Sequence, residues 1–253
     1  MANLRINFLS YTLHRAVDLT VILPSMCFPE MMEPDPHHRR QAYPVLYLLH
    51  GYGNNHATWN GYTSVELYAE ERSIAVVMLS AENMAYINHG GDNNYFDFIA
   101  HELPEFIASV LPVSGRREDT YIAGLSMGGF GAVVHGLTES RRFAAIGSFS
   151  GAVRGLTVAR GAEGIDTSAL AKACAEENRR IPVYLACGDK DFLLTDNQSF
   201  RDELTGLGFD VTWVLGKGFD HEWRFWDQQV EAFLDWIPRS DPFRPAKGQR
   251  RKI

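Results

Sequence analysis

Short apolar runs recur along the chain at intervals typical of a buried parallel sheet. Because nearly continuous hydrophobicity indicates burial on both faces, each run is predicted to form a strand of such a sheet. The runs are residues 45–50, 74–80, 120–125, 143–150, 182–188 and 210–216. Before them, residues 4–9 and 16–23 alternate or cluster apolar and β-branched side chains, which predicts two antiparallel strands joined by a short turn.

Helix-like segments separate the predicted strands. Residues 96–111 carry apolar side chains at helical spacing, and 127–139, 195–208 and 221–237 each follow a strand. Pro104 must mark a helix start or a kink, because proline lacks the N–H that a helix interior needs. Strands that alternate with helices form right-handed βαβ units. The predicted fold class is therefore α/β, a mostly parallel sheet of about eight strands with helices on both faces.

Two segments depart from this rhythm. Residues 152–181 are rich in Ala, Arg, Glu and Gly, with a helix-like stretch at 168–180, and are predicted to form a small helical insertion over one end of the sheet. Residues 239–253 hold six basic side chains and one acidic one, which predicts a solvated, disordered tail, with a nucleic-acid or membrane tether as the alternative. Residues 1–238, including this insertion, are predicted to form a single domain.

Composition narrows the class of protein. The chain has 253 residues, 45% of them hydrophobic, which suits one well-buried domain. A net charge of −7 and no apolar run near the ~20 residues of a membrane span argue against nucleic-acid and membrane partners. The N-terminus lacks signal-peptide features, so a cytoplasmic protein is expected. The composition does not determine the oligomeric state, so a homo-oligomer is one of the alternatives. The sparse cysteines and the histidines lack zinc-like spacing, so no metal site is predicted.

The segment 124–128 reads Gly-Leu-Ser-Met-Gly and fits the G-x-S-x-G pattern. In this motif a strand turns sharply into a helix and leaves the serine exposed at the apex, so the flanking glycines must lack side chains. A predicted strand precedes Ser126 and a predicted helix follows it. We interpret Ser126 as a nucleophile; the alternative is a glycine-rich packing turn around a structural serine.

An acid and a base follow the serine in the order this fold requires. His221 comes directly after a predicted strand and is the only histidine beyond position 135. Without a catalytic role it would be an ordinary residue at a helix start. Asp189 and Asp191 both follow the preceding strand. Spacing favours Asp191 only slightly, because it lies further into the loop; Asp189 could instead brace the turn.

The oxyanion hole needs two backbone N–H groups, one from the residue after the nucleophile and one from an earlier loop. The first is assigned to Met127. The second is assigned to Tyr52, because Gly51 after the strand at 45–50 lets the chain bend there. Trp59 and Trp223 are candidates for pocket walls, although aromatic residues at such positions also form core.

Several segments together resemble the esterase D-like α/β-hydrolases, with the tributyrin esterase and the feruloyl or acetyl esterases as the closest branch. The matching segments are YLLHGYGNNHATW, NNYFDFIAHELPEFI, YIAGLSMGGFGA, GSFSG, CGDKDFL and DHEWRFWDQQVEAFLDWIP, in order over residues 2–238. The resemblance implies a cofactor-free serine esterase acting on short-chain, phenolic or feruloyl esters. It assigns Ser126, Asp191 and His221 as the triad, the acid by the last position of GDKD, and Tyr52 and Met127 as oxyanion donors.

Other functions stay open beside a small-molecule ester hydrolase. An acyltransferase would use the same triad and pass the acyl group to an alcohol or sugar. S-formylglutathione hydrolases share the superfamily, but the threonine- and cysteine-bearing oxyanion loop of those thioesterases is replaced here by HGYGNNHATW. A non-catalytic binding protein usually loses a triad member, and all three are present.

Overall fold

A central β-sheet organises the computed structural model, which describes residues 1–36, 42–155, 164–244, 246 and 249–253. Within these ranges the sheet has eight strands in the order β1-β2-β4-β3-β5-β6-β7-β8. The first two strands are antiparallel, and β3 to β8 run parallel. The strands are β1 (Ala2–Ser10), β2 (Arg15–Leu23), β3 (Val45–Leu49), β4 (Ala75–Leu79), β5 (Thr120–Leu125), β6 (Ala145–Phe149), β7 (Val183–Gly188) and β8 (Val211–Gly216). The predicted α/β class is confirmed.

Helices cover both faces of the sheet. They are α1 (Phe28–Met31), α2 (Thr58–Tyr62), α3 (Val65–Glu71), α4 (Tyr95–Asp97), α5 (Leu103–Val110), α6 (Met127–Thr138), α7 (Thr167–Glu176), α8 (Leu194–Gly206) and α9 (Trp223–Trp236). Successive side chains of a strand point to opposite faces. Accordingly Tyr47 of β3 packs in a core with α5, α6, α7 and α8, and Leu48 packs in a second core with α2, α3 and α9.

The helical segment predicted at 96–111 is divided by a π-helical turn, Phe98–Glu102, between α4 and α5. The Leu103 N–H donates to the Phe98 carbonyl, five residues back, and Pro104 lies in the first turn of α5. Pro104 thus stands inside a continuous helical segment, at the junction where the π-helical turn passes into α5, and it contributes no N–H to the helix there. The buried Glu102 carboxylate of the π turn accepts hydrogen bonds from the Ser10 hydroxyl and from backbone N–H groups of the β1–β2 turn.

The predicted insertion is only partly within the described residues, since 156–163 lie outside them. Its helix is α7, which begins after Asp166, whose carboxylate accepts hydrogen bonds from the Ser168 and Ala169 N–H groups. The helix packs against α6 and α8, over one face of the sheet.

The basic C-terminal segment packs against the domain where the structure describes it. Arg239 and Asp241 form a buried ion pair at 2.6 Å. The Arg251 N–H donates to the Glu71 carbonyl at 2.9 Å, and Arg250 pairs with Glu231 at 2.8 Å. This differs from the solvated tail that the charge predicts, because acidic residues of α3 and α9 lie within reach; residues 245, 247 and 248 lie outside the described set. Across the described ranges, no helix combines the length and apolar character needed to cross a bilayer.

Candidate active site

Ser126 stands at a sharp turn between β5 and α6. Its backbone adopts φ 51° and ψ −116°, a region that costs a non-glycine residue about 1–3 kcal/mol. The turn brings Gly124 against Gly128, so a Cβ on Gly124 would collide with the Gly128 carbonyl. A Cβ on Gly128 would collide with the Leu49 carbonyl of β3. The glycines therefore permit the close backbone approaches that hold the strained serine at the carboxyl end of the sheet.

Hydrogen bonds connect three predicted residues from three separate loops. The Ser126 Oγ lies 3.0 Å from His221 Nε2, and His221 Nδ1 lies 2.9 Å from Asp191 Oδ2. The Asp191 carboxyl is fully buried, and 21% of the imidazole surface is exposed. With Asp191 ionised, Nδ1–H donates to the carboxylate, which leaves Nε2 free to accept the serine proton.

The environment of Asp191 favours the ionised form. Burial raises its pKa, but hydrogen bonds from His221, the Leu193 N–H and Ser150, with the charge of His221, outweigh burial and leave the pKa below its usual value. The Leu193 N–H donates to Asp191 Oδ1 at 2.9 Å. A carboxylate held this way can orient the imidazole and stabilise its charged form without taking the proton itself.

Asp189, the other aspartate in this loop, has a different task. Its Oδ1 accepts a hydrogen bond from the Gly218 N–H at 2.7 Å, which ties the loop after β7 to the loop after β8. These are the loops that carry Asp191 and His221. The structure thus brings Asp191 to the imidazole and uses Asp189 as the brace of the turn.

The two predicted oxyanion donors both lie close to the nucleophile. Met127 is the first residue of α6, so its N–H is one of the first-turn groups without an intrahelical partner. Gly51 packs so close to the elbow that a Cβ built on it would lie 3.6 Å from Ser126 Cβ. Tyr52 follows and lines the same cavity as Ser126. These positions suit two N–H groups that converge on one substrate oxygen.

Comparison with known proteins assigns the family. A family model described as "Putative esterase" matches residues 29–235, which include the elbow and the hydrogen-bonded triad. The chain belongs to this esterase family. It is a serine hydrolase.

Individual relatives agree with this family over nearly the whole chain. An acetyl esterase of Caldicellulosiruptor saccharolyticus is 31% identical over 271 aligned residues, which cover 94% of this chain and 99% of that protein. An S-formylglutathione hydrolase structure from Staphylococcus aureus has a TM-score of 0.80 at 29% identity, covering 94% of this chain and 99% of that one. The substrate-bound fluorophosphonate-binding serine hydrolase F of Staphylococcus aureus has a TM-score of 0.80 at 30% identity, with the same coverage.

A cavity of about 370 Å³ opens beside Ser126 in this esterase. It is lined by Gly51, Tyr52, Asn54, Leu125, Ser126, Phe192, His221, Trp223 and Trp226. The Tyr62 ring stacks on Trp223 with centroids 5.1 Å apart, and the Phe192 ring lies 4.8 Å from the imidazole of His221. Phe192 is 72% exposed, so the mouth of the cavity presents aromatic faces to solvent.

Of the two tryptophans predicted as pocket walls, only Trp223 lines this cavity. Trp59 is fully buried, and its indole N–H donates to the Leu49 carbonyl at 3.0 Å. It supports Trp223 from behind, edge-on at 5.4 Å. The prediction for Trp59 is corrected accordingly: it belongs to the core, because its one polar atom is used by the end of β3.

Ser150 is a residue near the acid to which the sequence assigns no role, although it belongs to the GSFSG segment of the family resemblance. It is fully buried just after β6, and its Oγ accepts a hydrogen bond from Trp226 Nε1 at 3.1 Å. Its hydroxyl also hydrogen-bonds to Asp191, which helps to lower the pKa of that carboxyl. The chain separates Ser150 and Trp226 widely, so only the folded sheet shows this connection.

Proposed function

We propose that this esterase hydrolyses short-chain acyl esters, acetyl to butyryl, through an acyl-enzyme on Ser126. The observation that carries the proposal is the hydrogen-bonded line Asp191–His221–Ser126, which ends on a small cavity at the carboxyl end of the sheet. Similarity to an acetyl esterase over 94% of the chain supports the short acyl group.

Each group has a defined part in the proposed reaction. His221 Nε2 takes the hydroxyl proton as Ser126 Oγ attacks the ester carbonyl, and the amides of Tyr52 and Met127 stabilise the resulting oxyanion. Collapse of this intermediate expels the alcohol, which receives the proton from His221 and leaves the acyl group on Ser126. Water then attacks the acyl-enzyme with His221 as the base again, which releases the carboxylic acid. Asp191 holds the imidazole tautomer throughout.

The aromatic residues at the mouth of the cavity indicate which alcohol groups of an ester the site can accommodate. Phe192 is exposed beside the cavity, and Trp223, with Tyr62 stacked on it, lines the cavity, so a flat or ring-shaped leaving group can stack there. This arrangement fits aryl esters, including phenolic and feruloyl esters, as well as small alkyl esters. We assign the acyl half to the part of the cavity bordered by Leu125 and Ser126.

A second candidate activity is thioester hydrolysis, favoured by the 29% identity to an S-formylglutathione hydrolase over 94% of the chain. The same triad would attack a thioester carbonyl and expel a thiolate. The loop that begins at His50 differs from the oxyanion loop expected of those enzymes, so the oxygen ester is preferred here.

One assay separates these activities. Wild-type protein and Ser126→Ala are compared on p-nitrophenyl esters from acetate to decanoate, on methyl ferulate and on S-formylglutathione, with and without an added alcohol acceptor. Serine-dependent turnover that peaks between acetate and butyrate supports the proposal. A higher kcat/KM on the thioester favours the second candidate, and an ester product with the acceptor indicates acyl transfer. No serine-dependent turnover on any substrate would overturn the proposed function.

A further inference from the structure

His50 touches the peptide that carries one proposed oxyanion donor. It is buried at the end of β3, and its Nδ1 lies 2.7 Å from the carbonyl oxygen of Gly51. The Gly51 carbonyl and the Tyr52 N–H belong to one planar peptide unit. Whatever orients this carbonyl also orients the Tyr52 N–H. The inference drawn from this contact rests on the proposed function, because it concerns the oxyanion hole.

The neighbours of the His50 ring determine its tautomer. The Ala81 N–H is a donor and lies 3.0 Å from Nε2, so Nε2 must be the unprotonated, accepting nitrogen. The single ring proton is then on Nδ1, which donates to the Gly51 carbonyl. Burial lowers the pKa of His50 to about 4, so the ring is neutral near pH 7. Each ring nitrogen thus has one partner and one role.

We propose that His50 is a positioning residue of the oxyanion hole: its Nδ1–H holds the Gly51–Tyr52 peptide with the Tyr52 N–H directed to the substrate. In a trans peptide the C=O and N–H point in opposite directions, and the described residues contain no cis peptide bond. With the Gly51 carbonyl turned to the imidazole, the Tyr52 N–H points away from the ring, to the side where Tyr52 borders the cavity. Donation to the carbonyl also polarises the amide and strengthens its N–H as a donor.

The peptides on both sides of this unit are held as well. The carbonyl of His50 accepts a hydrogen bond from the Tyr86 hydroxyl at 2.7 Å, and the Gly53 N–H donates to Asn83 Oδ1 at 2.7 Å. Both partners lie in the loop after β4, where Asn83 and Tyr86 have φ values of 59° and 64°. The Gly51–Tyr52 peptide is therefore held through both neighbouring peptides and through two donors to its own carbonyl, the Asn54 N–H at 3.2 Å and the shorter contact from His50 Nδ1 at 2.7 Å.

Two substitutions divide the roles of the ring nitrogens. In His50→Asn the amide nitrogen takes the place of Nδ1 and can still donate to the Gly51 carbonyl. In His50→Gln the amide group takes the place of Nε2, so it can accept from the Ala81 N–H but removes the imidazole donor from the Gly51 carbonyl, which keeps only the longer hydrogen bond from the Asn54 N–H at 3.2 Å. For His50→Gln we expect kcat to fall about 10- to 100-fold with KM nearly unchanged, because the Tyr52 N–H that His50 positions binds the oxyanion only in the transition state. His50→Asn should keep most of kcat.

An inhibitor provides a readout that a purely structural role would not change. A trifluoromethyl ketone forms a tetrahedral oxyanion with Ser126, so its inhibition constant should rise in His50→Gln by the same factor by which kcat falls. The control is His56→Gln: this buried histidine of the same loop bonds to Thr20 at 2.7 Å, away from the Gly51–Tyr52 peptide. It should leave kcat and inhibition unchanged.

Tyr86→Phe keeps the proposal testable if the His50 variants do not fold. It removes only the hydroxyl that holds the His50 carbonyl, and should lower kcat and inhibitor affinity together by a smaller factor. Equal kcat and inhibition constants in folded His50→Asn and His50→Gln would overturn the proposal, as would an unchanged Tyr86→Phe if neither folds. These outcomes concern only an active wild-type enzyme, whereas a wild type that cleaves no ester contradicts the proposed function instead.

Discussion

The two ends of the parallel strands use buried polar side chains in opposite ways. At the carboxyl end, a hydrogen-bonded line starts at the buried Asp191, passes through His221 and ends at Ser126 beside an open cavity. At the amino end, Asp119 pairs with Arg116 three residues earlier through two hydrogen bonds of 2.8 and 2.9 Å. At the carboxyl end, the Ser126 Oγ remains available to a substrate. At the amino end, the Asp119 carboxylate and the Arg116 guanidinium bind each other.

The difference shows why burial of a carboxylate does not by itself indicate a functional site. Burial raises the pKa of Asp119, but hydrogen bonds from Arg116 and Ser114 and nearby positive charges outweigh it, so the pKa lies below its usual value, as for Asp191. Both aspartates are therefore ionised. What distinguishes Asp191 is its partner: an imidazole can release and take up a proton, whereas a guanidinium cannot.

The largest expected effect is at the end of the catalytic line. Ser126→Ala should lower kcat on p-nitrophenyl acetate by roughly 10⁵-fold, because no other group there can form the acyl-enzyme. Ser148→Ala is the matched control, since this buried hydroxyl of β6 has no hydrogen-bond partner among the described residues. It should leave kcat unchanged, and both variants should unfold near the wild-type temperature. Substantial turnover by Ser126→Ala would show that Ser126 is not the nucleophile.

Replacing one aspartate at each end tests the contrast directly. Asp191→Asn should lower kcat by about 10³- to 10⁴-fold with little loss of stability, because the amide no longer holds the required imidazole tautomer. Asp119→Asn should leave kcat unchanged and lower the free energy of unfolding by about 1–3 kcal/mol, a range that allows for the exposed side of Arg116. Steady-state kinetics and urea titrations measure both. Similar kinetic losses in the two variants would refute the contrast.

Acid should weaken the fold through buried histidines away from the catalytic line. Burial lowers the pKa of His50 and of His135 to about 4 from 6.5, so each is neutral in the folded protein and protonated in the unfolded chain between these values. Their contribution to stability is complete above pH 6.5 and is lost as the pH falls toward 4. Each adds a slope of about 1.4 kcal/mol per pH unit to the free energy of unfolding.

A variant of α6 isolates one of these slopes. In His135→Gln the amide nitrogen can keep the hydrogen bond to the Tyr86 carbonyl, which His135 Nε2 makes at 2.8 Å, but it does not titrate. Urea titrations between pH 7 and pH 4.5 should show a shallower loss of stability than in the wild type, by about one proton's slope. An identical pH dependence in the two proteins would show that protonation of His135 does not contribute to the loss of stability in acid.

The smallest effect is expected at the aromatic mouth. Phe192→Ala should raise KM for aryl esters a few-fold, roughly the loss of one ring contact, and leave KM for ethyl acetate unchanged. Leu9→Ala is the control, because Leu9 is similarly exposed but lies on β1 at the edge of the sheet. Equal changes in KM for both ester types would argue against stacking of the leaving group.

The sequence predicts the strands and the main helices well because the pattern that defines them is local. Nearly continuous apolar runs and the glycines around Ser126 act through immediate neighbours, and the structure has a strand, a strained turn and a helix at that point. The sequence pattern does not predict the short helices α1, α2 and α3, because one or two turns are too short to show a helical apolar period. The packing of the C-terminal segment was missed because its ion pairs join residues far apart in the chain.

Within the site, the sequence does not distinguish between candidate residues that lie close together in the chain. Spacing alone could not separate Asp189 from Asp191, because both follow β7; the separation depends on whether the loop turns back to His221 or forward to Gly218. Trp59 is predicted as a pocket wall because the sequence does not reveal that its indole N–H donates to the Leu49 carbonyl. Ser150 and His50 support other groups through folded contacts that no local pattern reveals.

Labelling with a fluorophosphonate tests the central claim most directly. The reagent needs an activated serine and forms a stable phosphonate ester as fluoride leaves with the serine proton. Peptide mass spectrometry of the labelled wild-type protein should show one modified residue, Ser126, with no labelling of Ser126→Ala and much slower labelling of His221→Gln. Labelling at another serine, or equal labelling of all three proteins, would contradict the account.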